Sequence, residues 1–263
     1  MSVQSRLDPD TGIARHRCDG WDDFINAMRD HARDADGERL YRGHGISGWR
    51  LSSDFERHQY GPSASRLREL CDAHLDHFKD LAAGLLGNEA RTYDENDWWA
   101  IGRHYGLSTP LLDWSRSPYL AAFFALGDYV RFVLDAPANG TTPMETDGFV
   151  NLWVLQPRPD VFREGEFELV APKSFSNARQ RAQRGVFTRL THDDHHDVAA
   201  YVAARGMPDC LSCWEIPGQD ALLALSDLSQ ANITAGTVFP DLQGAALEAN
   251  ASYSRRFAEA LDA

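Results

Sequence analysis

No run of eighteen apolar residues occurs in the 263-residue chain, so no membrane-spanning helix is expected. The opening Met-Ser-Val-Gln-Ser-Arg-Leu-Asp has no apolar core of the signal-peptide kind, which makes a cytoplasmic protein the default expectation. No glycine-rich dinucleotide fingerprint or phosphate-loop motif is expected, and regular βαβ alternation is missing, so neither a phosphate-loop fold nor a doubly wound dinucleotide fold is favoured. Cysteine is scarce, with four residues at 18, 71, 210 and 213. Cys71 falls on the apolar side of a helical pattern and reads as core. Cys210-Leu-Ser-Cys213 would need two more ligands to bind zinc. His192, His195 and His196 are candidates, but the usual partner spacing is lacking and no metal site is expected. Basic residues are outnumbered, 26 against 39 acidic, for a net charge of −13. Such a surface keeps a protein soluble and repels a nucleic-acid backbone. One stretch departs from it. Lys173, Arg179, Arg181, Arg184 and Arg189 follow one another with no acid between. They suit an anionic ligand, or form a basic helix face docked on an acidic neighbour.

What is present suffices for one large core. Residues 1–17 read as a loose leader, and Trp21 to Ala32 as a helix, with apolar positions 21, 24, 25 and 28. Arg39 to Gly43 reads as a strand ending at a glycine turn. Helices are expected over Ser65–Leu86, Glu95–Tyr105 and Ser117–Leu126, with Asp94 or Asn96 and then Ser117 as caps and Pro118 in the third helix's first turn. Residues 135–147 form a loop. Strands follow at Gly148–Leu155, Phe167–Val170, Gly185–Leu190 and Cys210–Ile216. Gln219–Gln230 is a helix, Gly236–Phe239 a brief element ending at Pro240, and Gly244–Leu261 a closing helix with Leu247 and Phe257 on its buried side. Helices in the first half and strands in the second predict an α+β fold: a helical half packed on a mixed or split antiparallel sheet. The expected division is 1–37 leader and helix, 38–245 the main domain, and 246–263 a terminal helix packed on it.

The chemistry concentrates in Gly102-Arg-His-Tyr-Gly-Leu-Ser-Thr-Pro-Leu-Leu-Asp-Trp-Ser-Arg-Ser-Pro118. It holds His104, Ser108, Thr109, Asp113 and Arg116 beside an apolar run, as the floor of a site would. Arg42 sits inside a strand pattern. A guanidinium there needs an anionic or acceptor partner, so it is either an ion-pair member or a ligand clamp. Asp113 is equally readable as a structural carboxylate, bonding amides or pairing with Arg42.

Tyr41-Arg42-Gly43, the segment His104 to Pro118, Gln183-Arg-Gly-Val-Phe187 and Phe239-Pro-Asp-Leu-Gln-Gly244 together resemble the FRG domain, over roughly residues 38–245. The first letter of that family's phenylalanine-arginine-glycine signature is tyrosine here. The resemblance implies a bacterial protein, found in phage and mobile-element settings, and a role in phage defence or toxicity. A more distant similarity runs to ADP-ribosyltransferases of the arginine-serine-glutamate type. Tyr41-Arg42-Gly43 resembles the first motif, Ser108-Thr109 followed by Ala122-Phe-Phe-Ala125 the second, and Glu166-Phe-Glu168-Leu-Val-Ala-Pro172 the third, in the right order.

That similarity implies an ADP-ribosyltransferase-like fold and an enzyme that uses NAD as substrate, transferring ADP-ribose to an unidentified macromolecular target or hydrolysing NAD. Glu168 would stabilise positive charge on the ribose and act as general base. Arg42 would clamp the pyrophosphate. Ser108 and Thr109 would hold the ribose, Tyr105 or Phe123 would stack on nicotinamide, and His104 would hold the adenosine ribose. Gln183 and its neighbours, Asn177 to Arg184, would receive the adenine end or an acidic target. No metal is required. Two other readings stay open. One is a non-catalytic nucleotide- or partner-binding module, with Arg42, His104, Asp113 and Gln183 as its polar network. The other is a metal-independent hydrolase using Asp113 or Glu168. A nucleic-acid target and the oligomeric state are left open by the sequence.

Overall fold

A computed structural model describes residues 3–33, 37–57, 64–86, 92–137, 140–170, 178–192 and 195–261. In chain order the elements are β1 (Val3–Leu7), β2 (Ala14–Cys18), α1 (Trp21–Arg33), β3 (Leu40–His44), α2 (Asp54–Arg57), α3 (Ala64–Leu86), α4 (Glu95–His104), β4 (Leu111–Ser115) and α5 (Pro118–Tyr129). A π-helical turn (Val130–Leu134) precedes β5 (Phe149–Leu155), β6 (Phe167–Val170), α6 (Ala178–Ala182), β7 (Gly185–Leu190) and α7 (Val198–Ala204). The chain continues through β8 (Leu211–Pro217), α8 (Ala221–Gln230), α9 (Ala235–Val238) and α10 (Leu242–Leu261). The strands make one eight-stranded sheet in the order β1-β2-β8-β5-β3-β4-β7-β6. Only β2 and β8 run parallel; every other neighbouring pair is antiparallel. The fold is α+β, with N-terminal helices on a mixed, mostly antiparallel sheet.

Alternation along the strands sends side chains to two faces. On one face Tyr41, Val150, Leu152, Val154, Trp214 and Ile216 are buried with residues of α1, α5 and α8. The same face continues across Leu111, Phe187 and Val170, where α3 and α4 cover it with Leu75, Trp98 and Trp99. The opposite face buries Leu40, Leu112, Trp114, Trp153, Leu155 and Val186 beneath Val198, Tyr201 and Val202 of α7. Two helical blocks thus stand side by side on one face, and the groove between them lies above β3, β4 and β7.

Local chemistry sets the helix starts that border this groove. Asp94 caps α4 in a reciprocal box with Asp97. Ser117 caps α5 by accepting from the Leu120 amide at 3.4 Å, with Pro118 in the first turn. Helix α5 lies directly on β3 because glycines leave room for it. A Cβ at Gly43 would fall 2.0 Å from the Ala121 carbonyl oxygen, and one at Gly45 would fall 2.5 Å from the Asp128 Cβ.

Several expectations are corrected. Residues 1–17 contain two strands in place of a loose leader. The pattern was hidden because β1 and β2 are polar and arginine-rich. Their registers place Arg6, Arg15 and Arg17 around Glu215 of β8, at 2.7, 3.2 and 2.8 Å. Burial would raise the Glu215 carboxyl, but these guanidiniums, Arg17 first, outweigh it and hold it ionised below the usual range. Arg15 and Arg17 also lie over the rings of Trp153 and Phe149. Strands are therefore not confined to the second half. Helix α7 was not anticipated. Gly236–Phe239 falls largely in the helical turn α9, capped by Thr234. Leu247 is exposed, because α10 meets the fold through Gly244, whose added Cβ would lie 1.8 Å from the Phe239 carbonyl oxygen. The Phe257 side chain, Pro172, Lys173 and Asn177 lie outside the described residues. All four cysteines are buried free thiols. Burial pushes Cys213 up to about 12 and Cys210 up to about 11. No described helix is long and apolar enough to cross a membrane.

Two outcomes follow from this packing. Gly43→Ala is expected to destabilise the fold by about 3 kcal/mol, through overpacking against main chain, as read by urea unfolding. Glu56 caps α2 reciprocally with Ser53, at 2.8 and 3.2 Å, while its Oε1 is buried without a hydrogen-bond partner. Burial raises its carboxyl from 4.5 to about 7. A folded carboxyl with a raised pKa binds a proton that the unfolded chain releases, so stability falls as pH rises through that window. The wild type should lose on the order of 3 kcal/mol between pH 4.5 and pH 7 through this group. Glu56→Gln should remove the dependence, as measured by unfolding at several pH values.

Candidate functional site

The site begins at a seam in the sheet. Strands β3 and β4 are paired only at Tyr41 and Ser115. Beyond that pair Arg42 takes the place of ladder hydrogen bonds. Its Nη1 donates to the Asp113 carbonyl at 2.9 Å, and its Nε donates to His44 Nε2 at 3.0 Å. His44 therefore carries its proton on Nδ1. Burial, then the neighbouring Arg42 charge, hold its pKa well below the usual value. Burial also lowers Arg42 to about 10, a shift that Asp113 offsets only in part across 3.6 Å. The Nη2 atom of Arg42 has no hydrogen-bond partner among the described residues.

Asp113 is shared between two guanidiniums. Arg103, in the last turn of α4, grips it with two parallel donors, Nε to Oδ1 at 2.7 Å and Nη2 to Oδ2. Burial would raise the Asp113 carboxyl, but Arg103 and then Arg42 outweigh it and keep it ionised. Arg103 also donates to Asp54 at 3.1 Å, and Asp54 accepts from Arg57 at 2.7 Å. A chain of alternating charges thus runs Arg57, Asp54, Arg103, Asp113, Arg42.

Above this chain lies a cavity of about 430 Å³. Its floor is β3, β4 and β7; its walls are α4 on one side and α5 on the other. Toward the mouth, Phe124 meets Phe239 edge to face with centroids 5.8 Å apart. Arg179 of α6 lies over Phe239 and donates to Asp241 at 2.5 Å and Gln243 at 2.7 Å. His104 stands beside them, lowered by burial and then by Arg179. Gln183 holds the last wall: its carbonyl accepts from Ser115 Oγ at 2.8 Å and its amide donates to the Val238 carbonyl at 3.4 Å. The left-handed Arg184, φ 50°, then turns the chain into β7.

Arg42, His104, Asp113 and Gln183 are brought together on this cavity. Other candidates stand elsewhere. Thr109 is fully buried, 3.5 Å from Arg103 Nη1, with its carbonyl accepting from Phe55. Ser108 lies in the loop before β4 and is not on the cavity wall. Tyr105 is 73% exposed, with its ring against His104. Phe123 packs on the core beneath α5, and its neighbour Phe124 faces the cavity. Glu168 is on β6, at the far edge of the sheet. It accepts from Arg189 at 2.7 Å and from the Gly165 amide at 2.8 Å. It borders a separate, shallow depression. Burial would raise its carboxyl, but the Gly165 amide and Arg189 hold it below the usual range.

Sequence reasoning passed over Arg103, Asp54 and Asp128. Arg103 stands inside the motif quoted above, one residue before His104. It was findable as a cation in a helix's last turn followed ten residues later by an acid in a strand. Gly43, Gly45 and Gly48 do have G-x-G-x-x-G spacing, which corrects the expectation that no such glycine pattern is present. The helix that follows them, α2, is only four residues long. The first two serve the approach of α5.

Residues 37–132 match the family model described as FRG domain. No curated protein and no solved structure matches the chain. The matched segment supplies Arg42, Arg103, Asp113, Phe124 and Asp128, while Gln183 and Phe239 come from beyond it. This chain carries an FRG domain over residues 37–132, and the cavity is built largely from it.

Proposed function

We propose that the cavity binds a nucleotide of the NAD class, with the diphosphate at Arg42 and a ring against Phe124 and Phe239. One observation carries this reading. The four separate motifs, around residues 42, 104–115, 183–187 and 239, contribute to the walls of the same cavity. A guanidinium held along one edge and incompletely neutralised is a ready anion anchor, and the aromatic pair at the mouth suits a planar ring. The volume falls within the range of small-molecule sites.

Binding without turnover is the form of this proposal that the geometry supports best. ADP-ribose transfer would need a carboxylate at the ribose whose diphosphate Arg42 holds. Glu168 is engaged with Arg189 at another depression, Asp113 and Asp54 are occupied by Arg103, and burial raises the Asp128 carboxyl, which disfavours the ionised form that transfer needs. A hydrolase using either carboxylate meets the same obstacle.

The test is calorimetric titration of NAD and ADP-ribose, with nicotinamide release followed by chromatography. The wild type should bind both and release no nicotinamide. Arg42→Ala and Arg42→Lys should each weaken binding by about 30-fold or more, the worth of a charge-assisted contact in a partly dry site. Glu168→Gln should bind as the wild type does. Nicotinamide release that disappears in Glu168→Gln would overturn the binding-only reading in favour of transfer.

A further inference from the structure

Asp128 lies in the last turn of α5 and lines the same cavity. It reaches this position because β3 and the turn after it carry glycines where α5 crosses. The Asp128 Cβ occupies space that a side chain at Gly45 would fill. Unlike Asp54 and Asp113, its carboxyl makes no hydrogen bond and no ion pair among the described residues. Resting on the nucleotide reading above, we infer that Asp128 is a further ligand-contacting residue, which holds a proton and donates it in a hydrogen bond to an anionic diphosphate seated on Arg42. Binding is then coupled to the uptake of one proton.

The electrostatic setting agrees with this role. Burial raises the Asp128 carboxyl, and Arg131 and then Arg42 offset it only in part. An incoming anion would lie beside Asp128 and draw Arg42's field to itself, which favours the protonated acid further. The groups around Asp128 are distinguishable by their titration. Arg42 acts on it from β3, while His44, beyond Arg42 on that strand, is held well below the usual imidazole range by burial and then by Arg42. Asp113 on β4 is held ionised by Arg103 from α4. Arg131 follows on the π-helical turn, and Asp54 and Arg57 of α2 close the far end of the charge chain. His104 at the mouth is lowered by burial and then by Arg179, and Glu56 of α2, raised by burial to about 7, titrates within the same range without lining the cavity. Two carboxyls on one cavity are thus pushed in opposite directions, the arrangement that separates an anion from a proton donor.

The experiment uses the full chain and ADP-ribose, whose diphosphate does not titrate between pH 5 and 8.5. Dissociation constants are measured across that range for the wild type, Asp128→Asn and, as control, His104→Gln. The wild-type dissociation constant should rise by about tenfold per pH unit above the Asp128 titration. Asp128→Asn should keep low-pH affinity throughout, since its amide donates at every pH. His104→Gln should retain the wild-type slope. A wild-type affinity that is flat with pH, or a slope that survives in Asp128→Asn, overturns this inference and leaves the nucleotide reading standing. Failure of the wild type to bind ADP-ribose or NAD at any pH overturns both.

Discussion

The seam between β3 and β4 organises this molecule. Two central strands of an eight-stranded sheet share one backbone pairing, Tyr41 with Ser115. A buried carbonyl left without a ladder partner must be satisfied or it costs stability. Here the Arg42 guanidinium supplies the donor to the Asp113 carbonyl. The same substitution creates the cavity. A strand pair zipped along its full length would leave no place for a cation between α4 and α5, and no reason for Asp113 to be shared. Arg42 is therefore at once a piece of sheet and a piece of site.

A partly buried cation cluster in a chain of net charge −13 needs internal compensation, and the alternation of Arg57, Asp54, Arg103, Asp113 and Arg42 provides it. Each carboxylate in that run is shared by two guanidiniums. Sharing orders side chains that are already restrained, so each added contact loses less freedom than an isolated pair would. Asp128 lies outside this sharing. Its position depends on the backbone, through the glycines under α5, and owes nothing to an ion-pair partner.

Much of the fold was legible. Periodicity and caps located α1, α3, α4 and α5 to within a few residues, because the first three carry apolar stripes, α5 is a nearly continuous apolar run, and Asp94 and Ser117 mark two of their starts. Buried strands β5, β7 and β8 showed as apolar runs. The N-terminal strands did not, because Arg6, Arg15 and Arg17 satisfy their charge on Glu215, some two hundred residues away. Local pattern cannot report a partner at that distance. Within the site, motif recognition found segments and missed pairings. It singled out Arg42, His104, Asp113 and Gln183 and overlooked Arg103, whose role is visible only once α4 is set against β4. It grouped Glu168 with Arg42 by order along the chain, whereas β6 closes one edge of the sheet and β3 lies near its middle.

The parallel pairing of β2 with β8 joins Ala14 to Ser212 and Arg17 to Glu215. During synthesis the first hairpin emerges long before its neighbour exists. Until residues 211–217 leave the ribosome, three guanidiniums wait without their shared acid, and one side of β2 remains an open edge. Contacts of such sequence separation slow folding, and an unpaired edge invites association with other chains. Residues 3–18 set Arg6, Arg15 and Arg17 against Asp8 and Asp10, so charge gives that waiting edge little protection. Closure by β8 is what removes it.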